Sequence, residues 1–225
     1  MADTTITLYG ATGVATVTPR FDFTAGTVKV EVDDVYIKDL TTGVEDSIAL
    51  TVGQKLEYIA SDWDSITRID INGDKVSGDI SGWTLPSTLA YFYVQSTKIS
   101  YDSSRSGRMR RRGAFTGITD TLAKIDFDDC KLNYNQVDNI LADLVTCLAT
   151  NNQLDLAGDN AAPTIHGLAS KAILEQRGWT INIRAGRSIP MFQREPIELW
   201  TAAMSGGPAP SNIIYDYSVA IGGAA

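Results

Sequence analysis

Ile66-Thr-Arg-Ile69-Asp-Ile71-Asn-Gly-Asp74-Lys-Val76, Leu89-Ala-Tyr-Phe92-Tyr-Val94-Gln-Ser-Thr97-Lys-Ile99 and Leu122-Ala-Lys-Ile125-Asp-Phe127-Asp-Asp-Cys130-Lys-Leu132 align without a gap. In each run, apolar residues at the first, fourth, sixth and eleventh positions flank a Thr, Cys or Asp at the ninth. Such spacing turns alternate side chains inward from a short strand and uses the polar ninth position to tie down the turn that follows. A degraded fourth copy starts at Leu154-Asp-Leu156, and Ile181-Asn-Ile183 reads as a terminal strand.

The offsets support a repeating unit: Ile66 to Leu89 is 23 residues, Phe127 to Leu156 is 29 and Leu156 to Ile183 is 27. Leu89 to Leu122, at 33, is longer, and its surplus falls on Ser103-Ser-Arg105-Ser-Gly-Arg108-Met-Arg110-Arg111-Arg112-Gly113, which reads as an exposed loop. Between the first two runs, Ser77 to Pro86 is too broken by Gly and Pro for a helix. Farther on, Val137, Ile140, Leu141, Leu144, Val145 and Leu148 step as an amphipathic helix does. A second helix is predicted from about Pro163, through Ile165, Leu168, Ala169, Ala172 and Ile173, to Arg177-Gly178. Upstream, Thr5 to Tyr9, Thr27 to Val32 and Val35 to Ile37 alternate apolar with polar, as half-buried strands do. The expected organisation is a β module over residues 1–52, a repeat array over 53–183 and a Pro- and Gly-punctuated C-terminal arm over 184–225.

Val76-Ser-Gly-Asp-Ile-Ser-Gly-Trp-Thr-Leu-Pro-Ser-Thr-Leu-Ala-Tyr-Phe-Tyr-Val94 and the stretch Leu154 to Ile183 resemble the leucine-rich-repeat-like segments of tailed-bacteriophage virion proteins and related prophage proteins. The likeness covers about half the chain. It implies an α/β fold: a short leucine-rich-repeat-like solenoid of parallel strands with one or two helices, preceded by the small β module. It also implies a structural or surface-exposed role in the virion, such as capsid decoration or tail attachment, and carries over no catalytic residue.

Composition narrows the function classes. The 225 residues are 44% hydrophobic and 20% charged, with a formal charge of −8, so direct nucleic-acid binding is disfavoured. No apolar run approaches the roughly 20 residues of a membrane span, and the N-terminal residues lack a signal-peptide pattern, which predicts synthesis in the host cytoplasm without membrane insertion. Cys130, Cys147 and His166 complete neither a metal site nor a nucleophile–base pair. Tyr9-Gly10-Ala-Thr-Gly13-Val-Ala15 imitates a dinucleotide-binding turn, but Thr16-Val-Thr-Pro19 stands where a helix is required. Asp70-Ile-Asn72-Gly-Asp74 resembles half a calcium loop with its glycine misplaced. No catalytic, cofactor or metal site is expected, and a non-enzymatic chain is.

Two surface features remain. Asp70, Tyr93, Asp126 and Asp155 occupy equivalent outward positions in successive strands, with Tyr91 beside them, and carboxylates on adjacent rungs repel unless something offsets them. This face is either a plain solvated surface or a site for a protein partner or a sugar. Arg105, Arg108, Arg110, Arg111 and Arg112 suit pairing with carboxylates on an acidic neighbour. The expected partners are other virion proteins and further copies of the chain in a homo-oligomer. A host-surface glycan bound by a carbohydrate-recognising adhesin is the alternative, and an intracellular prophage-encoded binding protein the third reading.

Overall fold

The computed structural model describes residues 4–11, 13, 15–73, 75–102, 113–115, 117–147 and 149–184. Backbone contacts divide the chain into two units, Met1–Gly186 and Arg187–Ala225, of which the second, and with it nearly all of the expected C-terminal arm, lies outside the described residues.

The strands are, in chain order, β1 (Thr4–Gly10), β2 (Ala15–Val17), β3 (Arg20–Phe23), β4 (Val28–Val32), β5 (Val35–Asp39), β6 (Ile48–Leu50), β7 (Lys55–Ala60), β8 (Ile66–Asp70), β9 (Val76–Asp79), β10 (Tyr91–Tyr93), β11 (Lys98–Ser100), β12 (Lys124–Asp126), β13 (Gln153–Leu156) and β14 (Thr180–Ile183). Helix α1 (Tyr134–Thr146) joins β12 to β13, and α2 (Ile165–Gln176) joins β13 to β14. One six-stranded sheet runs β11-β9-β1-β7-β4-β5, a second runs β14-β13-β12-β10-β8-β3, and β2 pairs with β6.

In the second sheet β8, β10, β12, β13 and β14 are parallel and in register. Ile69, Phe92, Ile125, Leu154 and Ile181 therefore form one row, the pairing that the gapless alignment of the runs requires. On the other face, Arg68, Tyr91, Lys124, Gln153 and Thr180 form a second row, and Asp70, Tyr93, Asp126, Asp155 and Asn182 a third. The ninth position reaches back one rung: Cys130 Sγ donates to Val94 O at 3.0 Å. Asn160, in the next copy, donates from Nδ2 to Phe127 O at 2.7 Å and accepts from Leu132 N at 3.0 Å.

The expected α/β leucine-rich-repeat-like solenoid behind a separate β module is overturned. The described residues are mostly β, in three sheets, with only two helices. The first two parallel crossovers pass through strands rather than helices. Leaving β8, the chain forms β9, which pairs antiparallel with β1, and leaving β10 it forms β11, which pairs parallel with β9. In exchange, β3 from the N-terminal region closes the parallel sheet by pairing antiparallel with β8. Val76 and Ile99, the last apolar positions of their runs, are buried in short strands that the N-terminal sheet takes up, and after Val76 the chain is broken by Gly78, Gly82 and Pro86, which disfavours a helix. Only after β12 does a helix-forming connection appear, opened by a capping box in which Asn133 and Gln136 bond each other's backbone amides.

Both large sheets contribute to one core. Phe21 of β3 meets Tyr58 of β7 with ring centroids 5.0 Å apart. Phe92 is the hub, lying 5.8 Å from Phe127, 6.4 Å from Phe115 and 6.5 Å from Trp83. Gly10 lets β1 end against the next turn: a Cβ there would stand 1.9 Å from Thr51 O. The Tyr9–Ala15 stretch thus holds a strand end and a tight backbone approach in place of a phosphate-binding turn.

Phe92 is fully buried, so Phe92→Ala is expected to cost about 3–5 kcal/mol in chemical denaturation. A loss under about 1 kcal/mol would show that the aromatic cluster does not hold the two sheets together.

Candidate functional site

The strands bring Asp70, Tyr91, Tyr93, Asp126 and Asp155 onto the face of the parallel sheet that points away from the core. Arg105, Arg108, Arg110, Arg111 and Arg112 lie outside the described residues.

Each aspartate is satisfied within the chain. Asp70 accepts from Arg68 Nη2 at 2.7 Å and from Asn72. Asp126, only 5% exposed, pairs with Lys124 Nζ at 3.0 Å and accepts from its own turn at Asp128 N, also 3.0 Å. Asp155 accepts from Ala157 N at 3.0 Å and from Asn182 Nδ2 at 3.1 Å. The offset that the ladder demands is therefore supplied by cations two residues earlier on the same strand, by turn amides and by an asparagine on the neighbouring strand. The hydrogen bond that Lys124 donates to Asp126 is the leading reason that its ammonium is held above its ordinary pKa.

What this pairing leaves open is an aromatic platform. Tyr91 and Tyr93 stack at 5.9 Å, and Tyr91 is 39% exposed. The Arg68 guanidinium sits 4.8 Å from the Tyr93 ring centroid and 5.7 Å from that of Tyr91, and Lys124 Nζ is 5.4 Å from Tyr93. Burial raises the Tyr93 pKa against the opposing pull of those two cations, so the ring stays a neutral phenol. Chemically this is a flat, hydrogen-bonding, cation-buttressed surface of the kind that protein anchors and sugar faces stack on. Arg68 and Lys124 were not among the sequence candidates. The signal for them is their place two residues before Asp70 and Asp126, which puts them on the same outward face.

Elsewhere, Cys130 and Cys147 are buried free thiols, and burial pushes the Cys130 thiol up to about 11. Among the described residues one carboxylate group converges, Glu31, Asp34 and Glu57, and Lys55 pairs with both Asp34 and Glu57. No described helix is long and apolar enough to cross a membrane.

Compared with known proteins, the chain matches no family model, no curated protein and no solved structure.

Next to the platform, Asp128 Oδ1 is buried without a hydrogen-bond partner among the described residues. Burial first, then Asp129, Asp155 and Asp126, raise its pKa above the usual carboxylate value. A carboxyl so raised costs no stability below its unfolded pKa, where both states are protonated, and the full amount above its folded one. Asp128→Asn is therefore expected to raise the melting temperature at neutral pH, with the gain fading as pH falls through the raised folded pKa and gone below roughly pH 4. A gain of equal size in acid would assign it to something other than this charge.

Proposed function

We propose that the chain is a non-enzymatic structural and interaction component of a bacteriophage virion, holding a protein partner on the outward face of its parallel sheet. The observation that carries this reading is the Tyr91–Tyr93 platform flanked by Arg68 and Lys124. The strands that hold these rings are fixed by the buried core, so binding costs little ordering. The flanking aspartates have partners of their own, leaving the exposed part of the Tyr91 ring and the Tyr hydroxyls to engage a neighbour. The setting in a virion is supported by the resemblance of Val76–Val94 and Leu154–Ile183 to segments of tailed-phage virion proteins. Decoration and attachment both fit such a surface.

The stacked tyrosines beside Asp70 also favour one second reading, a host-surface glycan, since apolar sugar faces stack on tyrosine while carboxylates accept sugar hydroxyls. The two readings separate on what the platform binds.

In phage particles assembled with the Tyr91→Ala/Tyr93→Ala variant, the chain's copy number in purified particles should fall about tenfold or more, with the melting temperature of the isolated protein little changed. Wild-type chain absent from purified particles overturns the virion reading. Glycan-array binding lost in the same variant would favour the sugar, and glycan binding indifferent to it would remove the sugar reading.

A further inference from the structure

Helix α2 faces the wrong way for its sequence. Ile165, Leu168, Ala169, Ala172 and Ile173 recur at helical spacing and form one apolar stripe, the pattern of a core-facing surface. All five are exposed, with Ile165 at 72%, Leu168 at 48% and Ile173 at 41%. The buried residues of α2 are instead Gly167 and Leu174. The reason is the docking of α2 on α1. A Cβ on Gly167 would meet Asp138 Oδ1 at 2.1 Å and Pro163 Cβ at 2.8 Å, so only glycine fits there. Asp138 also accepts from Thr164 N at 2.9 Å, and Arg177 Nη1 donates to Val145 O at 2.8 Å and to Cys147 O at 3.1 Å, pinning both ends of α2 in this orientation.

The inward row that is sealed at Phe92, Ile125 and Leu154 reaches the edge strand β14 at Ile181, which with Ile183 is only partly buried.

We infer that this face is a two-fold interface between copies of this chain, formed by antiparallel packing of α2 on the partner's α2 about Ala169. Shape supports a second copy as the occupant. A two-fold at Ala169 sets Ile165 against the partner's Ile173, and the small Ala169 and Ala172 at the centre let the helices approach closely while the larger side chains fill the gaps on either side. Charge supports it as well. The chain carries −8, so most of its surface repels a copy of itself, yet α2 holds one cation, Lys171, and one anion, Glu175, already paired with each other. Antiparallel packing further places Glu175, near the C-terminal end of one helix, towards the N-terminal end of the other, where the helix dipole favours an anion. This interface lies apart from the Tyr91–Tyr93 platform and does not depend on what that platform binds.

The test is light scattering behind size-exclusion chromatography on the full chain, wild type beside Leu168→Glu/Ile173→Glu. Both side chains are solvent-exposed in the single chain, so circular dichroism and the melt of the unassociated protein should be unchanged by the substitutions. The wild type is expected at twice the 24.3 kDa chain mass, with the variant monomeric and its dimer dissociation constant raised about a hundredfold or more. A monomeric wild type at micromolar concentration overturns the inference. It does so whether a Leu168→Cys thiol then labels freely, as on a bare face, or resists labelling, as under another part of the same chain. An oligomer that the double variant leaves intact overturns it equally.

Discussion

In-register parallel pairing is the constraint from which the rest of this structure follows. Strands about 4.8 Å apart set residues of equal position side by side, so each row is as apolar, as aromatic or as charged as the repeat makes it. On the inner face this is favourable, because Phe92, Ile125 and Leu154 stack into a continuous sealed surface. On the outer face the same rule would set carboxylate beside carboxylate. The chain answers with Tyr93 between Asp70 and Asp126, with Arg68 and Lys124 on the adjoining row, and with turn amides that donate to the carboxylates. The aromatic platform is a product of that answer: the cations that neutralise the aspartates are the ones that buttress the tyrosines.

The same constraint fixes what can connect the strands. A parallel crossover must return across the other layer, and the layer accepts whatever the local residues can form. After β8, where Gly78, Gly82 and Pro86 break the connection, and again after β10, the strands β9 and β11 add to the N-terminal sheet. Where Asn133 and Gln136 can open a helix, α1 takes over with Val137, Ile140, Leu141 and Leu144 turned into the core. Phe92 lies near this change of layer, where Trp83, Phe115 and Phe127 converge on it from connections of both kinds.

The rows were legible in the sequence because spacing and polarity repeat together, and three gapless runs leave no freedom of register. The class built on those rows was not legible. A buried valine at 76 or isoleucine at 99 is the same signal whether its strand closes a repeat or joins another sheet, and the choice is settled by β1 and β3, which are distant in the chain. For α2, periodicity revealed the apolar stripe but not its direction. Direction was set by Gly167, whose missing side chain lets Asp138 approach, and a glycine inside a helix is more readily read as a weak point than as a docking surface. On the outward face the tyrosines and aspartates stood out as residue types, whereas Arg68 and Lys124 acquire meaning only once each strand's two faces are assigned.

Sheet edges bring these threads together. An open edge invites pairing, and chains blunt theirs with charge and with bulges. The β3 edge of the parallel sheet has both, an Arg20–Asp22 ion pair and a register shift at Asp22 and Phe23. The β5 edge of the other sheet likewise has a shift in its pairing with β4 and the Lys38–Asp46 pair, beside the exposed Val35, Tyr36 and Ile37. Among the described residues, β14 has neither a bulge nor an ion pair of its own. Stacked units that each bury their apolar face on the next need a polar final unit to end cleanly. Among the described residues, the last strand is polar on the outward face, at Thr180 and Asn182, and apolar on the inward face, at Ile181 and Ile183. The stack therefore ends polar on the side that carries the tyrosines and apolar on the other, the same division of faces that in-register pairing imposes on every strand before it.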